Sequence, residues 1–416
     1  MNYFVVNAHW DNRGDEAAIR SMMMELLKLS EDNTVSIQRA IGEFGYFPQH
    51  EKIMVVPEFP KSGKKGVLEY YLALLTNGRI VFSKEAKAFY KALKNCNVVL
   101  HAPGGPSIGD IYIFQETNKL RRLKLVLRAK KKLMFYAPSM GPFNNKERNK
   151  IRKSILNQCD VIVLREAVSK EYLKTLDLNK EAIVTLDSAF QYQFSTEEYK
   201  RQFEEYSDLK KFLEKYDGKV IGITVTDLMW NSKYKATGID KTIRTTFETF
   251  VQRLTADNWG VVFIPQLFGN NGDYDYMASF CKDGCFVVDD KHDCFFQQHL
   301  ISKMYAVIGM RYHSNIFSAK MGTPFISVSY EQKMKGFMEK AGLTDYCMDI
   351  SDLFFESLNA KFDYLLKNYK AYKHMLEVSK DNFRAEAYKT TMIAAELAAQ
   401  GGSLSDEVNN QKNNVS

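Results

Sequence analysis

Short apolar runs alternate with amphipathic stretches along most of the chain. Runs such as YFVV (3–6) and LMFYA (133–137) have the length and composition of buried strands. Between the runs, segments such as DEAAIRSMMMELLKL (15–29) and KEAKAFYKALKNC (84–96) place apolar residues at helical spacing. Strands separated by helices indicate a parallel sheet with helices on both faces. The pattern therefore predicts an α/β fold.

This alternation stops in one place and then begins again. A charged helical pattern occupies the region around residues 191–217, and strand-like runs resume with KVIGITV (219–225) and GVVFIP (260–265). A chain of 416 residues also exceeds the size of one ordinary core. We therefore predict two Rossmann-like parallel-sheet domains that face each other across a cleft. The predicted units are residues 1–195, residues 196–399 with C-terminal helices, and a disordered polar tail at 400–416.

Composition and charge narrow the classes of protein and partner. Hydrophobic residues make up 45% of the chain and charged residues 26%, as in globular proteins. The formal net charge of +7 favours anionic ligands or an anionic membrane surface. The chain contains no nucleic-acid-binding motif, so we expect no nucleic acid partner.

The chain shows neither a signal peptide nor a membrane-spanning run, so we expect a cytoplasmic protein. Its start, MNYFVVNAHWDNRGD, lacks a basic n-region and a long apolar core, and no stretch approaches ~18 apolar residues. The basic stretch LRRLKLVLRAKKKL (120–133) fits either a solvated helix face or a membrane-surface patch. Peripheral membrane contact is therefore a further expectation.

The cysteines and histidines between residues 281 and 299 do not form a standard metal site. Their spacing matches no zinc pattern, which would need C-x2-C pairs. We predict no metal site and reduced cysteines.

Polar and glycine-rich segments follow the predicted strands. In open parallel sheets, ligands bind outside the carboxyl ends of the strands. The first half of the chain contributes RGDE (13–16), APGGPSIGD (102–110) and RE (165–166) at these ends, and the second half contributes MRYHS (310–314) and EQK (331–333). Two sheets with facing carboxyl edges would bring these segments into one cleft.

The segment GMRYHSNIFSAKMGTP (309–324) is the clearest candidate for chemistry. It leads from an apolar strand into a helix that Ser314 is predicted to cap and that ends near Gly322. A helix N-terminus attracts anions, and Arg311 and His313 add a cation and a group that titrates near neutral pH. The pattern indicates an anion site with a proton donor beside it.

Several of these residues also have a purely structural interpretation. Arg165 and Glu166 can form a structural ion pair, and a lone histidine such as His313 is often a hydrogen-bonded core residue. The glycines of GGPSIG fit neither a dinucleotide-binding nor a Walker loop and can simply form a tight turn. Asp15 can cap its own helix.

Together the motifs resemble the polysaccharide pyruvyl transferase family. The resemblance rests on GDEA, APGG…IGD, VLREAVSKEYL and TLDSAF, and above all on GMRYHSNIFSAKMGTPFISVSYEQKMKGF, and it extends over about residues 5–345. The specific part is R-x-H-S followed by G-x-P and Y-x-x-K. The chain departs from the family at Pro106, where a third glycine is common.

The resemblance implies a GT-B-like fold and a transferase without a cofactor. Such an enzyme moves a pyruvyl group from phosphoenolpyruvate to sugar hydroxyls of a cell-surface polysaccharide precursor, as in capsule or exopolysaccharide biosynthesis, and forms a pyruvate ketal. It implies that the first domain binds the sugar acceptor, for example a lipid-linked oligosaccharide. The second domain would bind phosphoenolpyruvate.

The resemblance also suggests roles for individual residues. His313 is the expected general acid, Arg311 and Lys333 would stabilise the phosphate, and Asp15 or Asp110 would position or deprotonate the acceptor hydroxyl. Trp10, Tyr274 and Tyr276 are candidates for stacking on sugar rings. Further expected substrate-binding residues are Arg165, Ser314, Gly14, Gly104, Gly105 and Glu331.

Two other functions stay open at this point. A GT-B glycosyltransferase with a nucleotide-sugar donor would have a similar cleft, with Glu331 bound to a ribose. A non-catalytic carbohydrate-binding protein with a relic site is the second, and the intact set of Arg311, His313 and Lys333 counts against it.

Overall fold

The computed structural model describes residues 1–10, 12–39, 47–111, 113–231, 233–269 and 272–412, without the side chains of Pro106 and residues 401–412. Its first sheet has seven parallel strands in the order β3-β2-β1-β4-β6-β8-β9. These strands are β1 (Asn2–Val6), β2 (Thr34–Arg39), β3 (Ile53–Pro57), β4 (Val98–His101), β6 (Lys132–Tyr136), β8 (Val161–Leu164) and β9 (Ile183–Val184). Two further strands, β5 (Gly104–Ile108) and β7 (Pro138–Met140), pair in parallel beside it.

The second sheet has six parallel strands in the order β12-β11-β10-β13-β14-β15. These strands are β10 (Val220–Thr224), β11 (Gly260–Phe263), β12 (Cys285–Val287), β13 (Ala306–Gly309), β14 (Phe325–Ser329) and β15 (Cys347–Asp349). The two sheets confirm the predicted α/β class with two Rossmann-like parallel-sheet domains. The predicted boundary after residue 195 falls between β9 and β10.

Helices connect the strands and cover both sheets. Those associated with the first sheet are α1 (Arg13–Lys28), α2 (Lys64–Thr76), α3 (Lys84–Asn95), α4 (Ile113–Arg128), α5 (Lys146–Gln158) and α6 (Ala167–Lys174). Those that follow are α7 (Thr196–Glu205), α8 (Ser207–Lys215), α9 (Ile239–Ala256), α10 (Tyr274–Ala278), α11 (Cys294–Ile301), α12 (Tyr312–Met321), α13 (Gln332–Lys340), α14 (Phe355–Lys367) and α15 (Tyr369–Lys412). Short 3-10 helices lie at Ser188–Phe190, Thr344–Tyr346 and Ile350–Asp352.

The first sheet is buried on both faces, which explains why its central strands are apolar throughout. Successive side chains of a strand point to opposite faces. In β1, Phe4 and Val6 belong to the core on one face, and Tyr3 and Val5 belong to the core on the other. This two-sided burial produces the continuous apolar runs that the sequence shows.

The N-terminal part of α1 belongs structurally to the second domain. The Arg13 N–H donates to the Gln266 carbonyl at 2.9 Å, and Ala17 and Ala18 lie within the core of the second domain. On the same side, Arg20 pairs with Asp293 at 2.6 Å. The helix that follows the first strand therefore joins the two domains.

The chain crosses back to the first domain at its end. In α15, Ala394, Leu397 and Ala398 pack into the core of the first sheet, and Thr391 hydrogen bonds with Tyr136 of β6. This differs from the prediction, which assigns all of residues 196–399 to the second domain. Helical periodicity shows that one face of a helix is buried but not which sheet buries it.

The end of α15 also differs from the predicted disordered tail. The backbone is helical through Lys412, and residues 413–416 lie outside the described residues. Extending an existing helix costs far less than nucleating a new one, so a polar sequence can continue it.

A charge introduced into the buried face of α15 tests whether this helix packs on the first sheet. Ala394 is fully buried in the first core, whereas Met392 on the same helix is exposed. We expect Ala394→Asp to lower the free energy of unfolding by about 3 kcal/mol or more, because an unpaired buried carboxylate is costly. The control Met392→Asp should change it by less than about 1 kcal/mol. Urea denaturation measures the free energy of unfolding of both variants, and equal losses would contradict the packing of α15 on the first sheet.

Candidate active site

The segment that carries Arg311 and His313 joins β13 to α12, as predicted, but its cap differs. The helix begins at Tyr312 with Arg311 at the N-cap, and it ends at Gly322 in the left-handed conformation (φ +73°). Ser314 lies within the first turn, where its hydroxyl donates to the Arg311 carbonyl at 2.6 Å and lies 2.8 Å from the Thr224 hydroxyl. Ser314 is fully buried. The predicted cap and substrate contact at Ser314 are therefore corrected, because this hydroxyl faces the strand and the turn.

Arg311 forms a buried ion pair within its own domain. Its Nε donates to Asp273 Oδ2 at 3.1 Å, and its Nη2 donates to the other carboxylate oxygen. Asp273 also accepts the backbone N–H groups of Gln266 and Leu267, at 3.1 and 3.0 Å. Arg311 therefore stabilises the loop after β11, and that loop in turn contacts the start of α1.

His313 lies at the boundary between the domains, directly against the backbone of α1. A Cβ atom built on Gly14 would lie 1.8 Å from His313 Nδ1, so only a glycine permits this approach. The other ring nitrogen, Nε2, lies 3.4 Å from Arg165 Nη1 and 3.5 Å from Asp187 Oδ2. We call Arg165, Asp187 and His313 the seam cluster, since its members come from both domains.

Arg165 holds the seam cluster together. Its Nη1 donates to Asp187 Oδ2 at 2.7 Å, its Nε donates to Ser139 Oγ at 2.8 Å, and its guanidinium stacks 4.5 Å from the centre of the Tyr312 ring. Glu166 lies behind it and accepts from Ser139 at 3.1 Å. Arg165 thus contacts both its neighbour Glu166 and the second domain, so it is more than a local ion pair.

Burial and charge shift the titration of this cluster. Burial alone favours the neutral form of Asp187, but the charge of Arg165 and the contact with His313 hold the pKa of Asp187 well below its usual range. Burial raises the pKa of Glu166, and the charge of Arg165 only partly opposes this rise. Asp187 is therefore the permanent anion of the cluster.

Asp15 faces the seam cluster from the first domain. The Gly105 N–H donates to Asp15 Oδ1 at 3.1 Å, and His9 Nδ1 lies 3.3 Å from Oδ2. A Cβ on Gly104 (φ +128°) would lie 2.8 Å from Oδ1. Burial opposes ionisation, but the hydrogen bond and charge of His9 outweigh it, and the pKa of Asp15 is about 2.

The cap of α1 is Asn12, whose side chain accepts from the Gly14 N–H at 2.7 Å. The capping interpretation of Asp15 is therefore wrong. Its carboxylate is directed to the glycine turn instead.

Asp110 has a different environment from Asp15. Its carboxylate lies 2.8 Å from Arg152 Nη2 and accepts from the backbone N–H groups of Asn144 and Asn145. These contacts fix the loop between β7 and α5. The structure does not bring Asp110 into contact with the seam cluster, but Asp110 does line the cavity between the domains. Its predicted role toward the acceptor stays a prediction.

A cavity of about 1160 Å³ lies between the domains, next to the seam cluster. Ser139 and Glu166 form part of its wall, as does Lys333, which pairs with Glu331 at 2.6 Å and lies 5.8 Å from the Tyr312 ring centre. His313 and Arg311 are not among its lining residues. Aromatic lining residues that the sequence pattern did not single out are Phe114, Tyr172, Trp230, Tyr234 and Tyr330.

The aromatic residues suggested by the sequence lie elsewhere. Trp10 is buried against Phe47, and Tyr276 packs edge-to-face on Phe280. Neither of these, nor Tyr274, lines the cavity. An aromatic residue that follows a strand in sequence can point into a domain core rather than into a cleft.

The cations expected to bind substrate each have an anionic partner in this structure. Arg165 pairs with Asp187, Arg311 with Asp273 and Lys333 with Glu331. Within the described ranges, no three His, Cys, Asp or Glu side chains are placed to hold a metal ion. Of these three pairs, Arg165–Asp187 has an imidazole beside it, that of His313.

Comparison with known proteins identifies the same family that the sequence motifs resemble. The family model for polysaccharide pyruvyl transferases matches residues 12–332. The amylovoran biosynthesis protein AmsJ of Erwinia amylovora is 25% identical over 295 residues, which is 68% of this chain and 68% of that protein.

Solved structures share the fold at low sequence identity. The UDP-GlcNAc 2-epimerase of Neisseria meningitidis has a TM-score of 0.57 at 12% identity, with 96% of this chain and 100% of that chain covered. A UGT transferase of Siraitia grosvenorii has a TM-score of 0.55 at 8% identity, with 96% and 99% covered. These similarities confirm the predicted GT-B arrangement of two Rossmann-like domains.

Substitution of Gly14 tests the close contact at the domain boundary. We expect Gly14→Ala to lower the free energy of unfolding by about 1–3 kcal/mol, because the new methyl group overlaps the His313 ring. Gly105→Ala is the matched control, since its Cβ would meet no atom within 4 Å. Thermal and urea unfolding measure both variants. Equal stability of the two would show that the seam is looser than described.

The pKa of Asp15 predicts a specific dependence of stability on pH. A carboxylate with a folded pKa of about 2, against an ordinary value of 3.8, stabilises the fold above pH 4 and loses this contribution as the pH falls through 2. We therefore expect the stability gap between wild type and Asp15→Asn to shrink by about 1 kcal/mol between pH 6 and pH 3. Urea midpoints at several pH values measure the gap. A gap that stays constant would contradict the shift.

Proposed function

Because the chain belongs to the polysaccharide pyruvyl transferase family, we propose that it transfers a pyruvyl group from phosphoenolpyruvate to the hydroxyls of a sugar. The relative from Erwinia amylovora is named for the biosynthesis of amylovoran, which supports an exopolysaccharide precursor as the acceptor. We place the reaction in the cytoplasm and assign it no metal or organic cofactor.

One observation carries the proposal. The seam cluster sets an imidazole beside a guanidinium directly behind the wall of an interdomain cavity, where Arg165 contacts the lining residues Ser139 and Glu166. Lys333 stands on the wall itself. Phosphoenolpyruvate carries a phosphate and a carboxylate, which suit a planar guanidinium and an ammonium group. The cavity volume of about 1160 Å³ exceeds the ~300–1,000 Å³ typical of drug-sized ligands, so it has room for donor and sugar together.

Donor binding in this proposal is an exchange of anions. Lys333 would release Glu331, which lies at the cavity wall, and take a donor oxygen in its place. Arg165 would keep Asp187 and direct its remaining N–H groups to the donor, since Arg165 Nη2 has no hydrogen-bond partner among the described residues. We do not assign Arg311 to donor binding, because its guanidinium forms a buried ion pair with Asp273.

The proposed chemistry begins with proton transfer from His313 to the methylene carbon of the enol. The adjacent carbon gains oxocarbenium character, and a sugar hydroxyl attacks it. Loss of inorganic phosphate and attack by a second hydroxyl close the ketal. The two hydroxyl protons balance the new methyl C–H bond and the protonated phosphate. Asp187, 3.5 Å from Nε2, would orient the imidazole and stabilise its charged form.

Asp15 would position the acceptor rather than deprotonate it. A carboxylate with a pKa of about 2 is a weak base, but it accepts hydrogen bonds from sugar hydroxyls well. The nearby Gly105 leaves room for a ligand, because no atom lies within 4 Å of the position that its Cβ would take, whereas the space beside Gly104 is filled by Asp15 itself. This assignment narrows the two roles that the sequence left open for Asp15.

Thermal unfolding with candidate donors tests the function without knowledge of the acceptor. A ligand at 100 times its Kd stabilises the folded state by about 2.7 kcal/mol. We expect phosphoenolpyruvate to raise the Tm and UDP-sugars to leave it unchanged. The reverse result would favour the nucleotide-sugar glycosyltransferase, and no response to either would favour a non-catalytic protein.

Two substitutions separate donor binding from chemistry. We expect His313→Ala to retain most of the Tm increase caused by phosphoenolpyruvate but to lower phosphate release with sugar acceptors by ~10²–10⁴-fold, since a general acid acts in the transition state. Lys333→Met should reduce both, because the ammonium group would bind the donor in the ground state as well.

Lys370→Met removes an equivalent charge from an exposed position on α15 and serves as the control. It should match wild type in both measurements. Near wild-type phosphate release by a folded His313→Ala enzyme would exclude His313 as the acid.

A further inference from the structure

The outward face of α2 is unusually apolar. Leu68 and Leu75 are 63% and 73% exposed, and Tyr71 lies between them on the same face. The turn that follows adds Ile80 and Phe82, the latter 67% exposed. We call these five residues the α2 surface. Single exposed apolar residues are common, but five within fifteen positions form a patch that needs an explanation.

The α2 surface is held in place by specific hydrogen bonds. The Glu69 carboxylate accepts the backbone N–H groups of Phe82 and Ser83 at 2.7 and 2.6 Å, and the Thr76 hydroxyl accepts the Ile80 N–H at 3.1 Å. On its inner face, α2 buries Tyr70 and Ala73 in the core of the first domain. The apolar side chains therefore point outward from a well-anchored helix and turn.

Basic residues surround the α2 surface. The segment from 61 to 87 contains six Lys or Arg residues and two acidic ones, and both acids are engaged. Glu69 binds the backbone of the turn, and Glu85 pairs with Lys61 at 2.7 Å. The basic residues are Lys61, Lys64, Lys65, Arg79, Lys84 and Lys87, and all are exposed.

Three of the seven basic residues in the stretch that the sequence suggested as a membrane patch are engaged in internal contacts. In α4, Arg122 is buried and donates to the Phe59 carbonyl and to Asn7. Beyond the helix, Lys131 donates to two backbone carbonyls and Lys132 pairs with Asp160. The exposed combination of charge and apolar surface lies on α2 instead.

We propose that the α2 surface docks onto an anionic lipid bilayer. Apolar side chains with a rim of lysines suit the interfacial region of such a bilayer, where the rings and leucines insert and the cations meet lipid phosphates. None of the helices in the described part of the chain has the length and apolar content to cross a membrane. The surface thus provides a peripheral attachment.

The same surface adjoins the mouth of the interdomain cavity. Asn118 of α4 donates to Ser62, just before α2, at 2.9 Å. One helical turn earlier on α4, Phe114 is 96% exposed and lines the cavity. Docking would therefore bring the cavity mouth toward the bilayer, where a lipid-linked sugar acceptor would lie. This last step rests on the proposed function, whereas the docking itself does not.

Vesicle co-sedimentation with the full chain tests the docking directly. We expect binding to phosphatidylglycerol-containing vesicles at low salt, weaker binding at high salt, and little binding to pure phosphatidylcholine. The triple variant Leu68→Ser, Leu75→Ser, Phe82→Ser should weaken binding at least tenfold. Lys64→Gln and Lys65→Gln should each weaken it about fivefold.

Matched controls use equally exposed residues elsewhere. Val378→Ser on α15 removes an apolar group of similar exposure, and Lys130→Gln removes an exposed charge from the other basic stretch. Both should bind vesicles like wild type, and all variants should keep the wild-type Tm.

Two results would overturn the proposal. One is wild-type vesicle binding by the triple variant. The other is a change of mass in sedimentation velocity between wild type and that variant, which would assign the patch to contact between copies of the chain. Failure of pyruvyl transfer would leave the vesicle result intact, because co-sedimentation requires no turnover.

Discussion

The contact between the Gly14 backbone and the His313 imidazole is the constraint on which the site depends. It requires the absence of a side chain at Gly14 and a fixed position for the start of α1. That position is set from the second domain, where the Gln266 carbonyl accepts the Arg13 N–H and the loop it belongs to is held by the Arg311–Asp273 ion pair. Arg311 therefore supports the position of His313 from a distance, through the loop and α1.

The electrostatics of the site follow from its burial. Charges removed from water need partners, and the seam cluster supplies them within itself: Arg165 is neutralised by Asp187, with Glu166 close behind. Under the proposed function, an anionic donor would therefore bind by exchanging partners with these groups rather than by filling an empty positive pocket.

The first domain carries two separate features on neighbouring elements. Its glycine turn and Asp15 face the second domain, while α2 presents an apolar and basic surface to the outside. The two regions meet through α4, which contacts Ser62 just before α2 and reaches the cavity at Phe114. A chemical site and an attachment surface on one rigid unit would fix the orientation of the cavity relative to a bilayer.

The local pattern of the sequence determined much of this protein. Apolar runs and helical spacing were sufficient to predict the two parallel sheets, and the R-x-H-S segment identified the turn where His313 lies, because these features depend on neighbours in sequence. The interpretation of the pattern missed β2, in which polar residues interrupt the apolar ones, and also β3, although its run IMVVP is apolar. It did not reveal the outward face of α2 or the return of α15 to the first domain. It also could not pair Arg311 with Asp273 or Gly14 with His313. Only the tertiary structure decides which distant groups share a buried space. A buried charge without a partner destabilises the fold, and the partner that it pairs with is the group that the fold brings within hydrogen-bond distance.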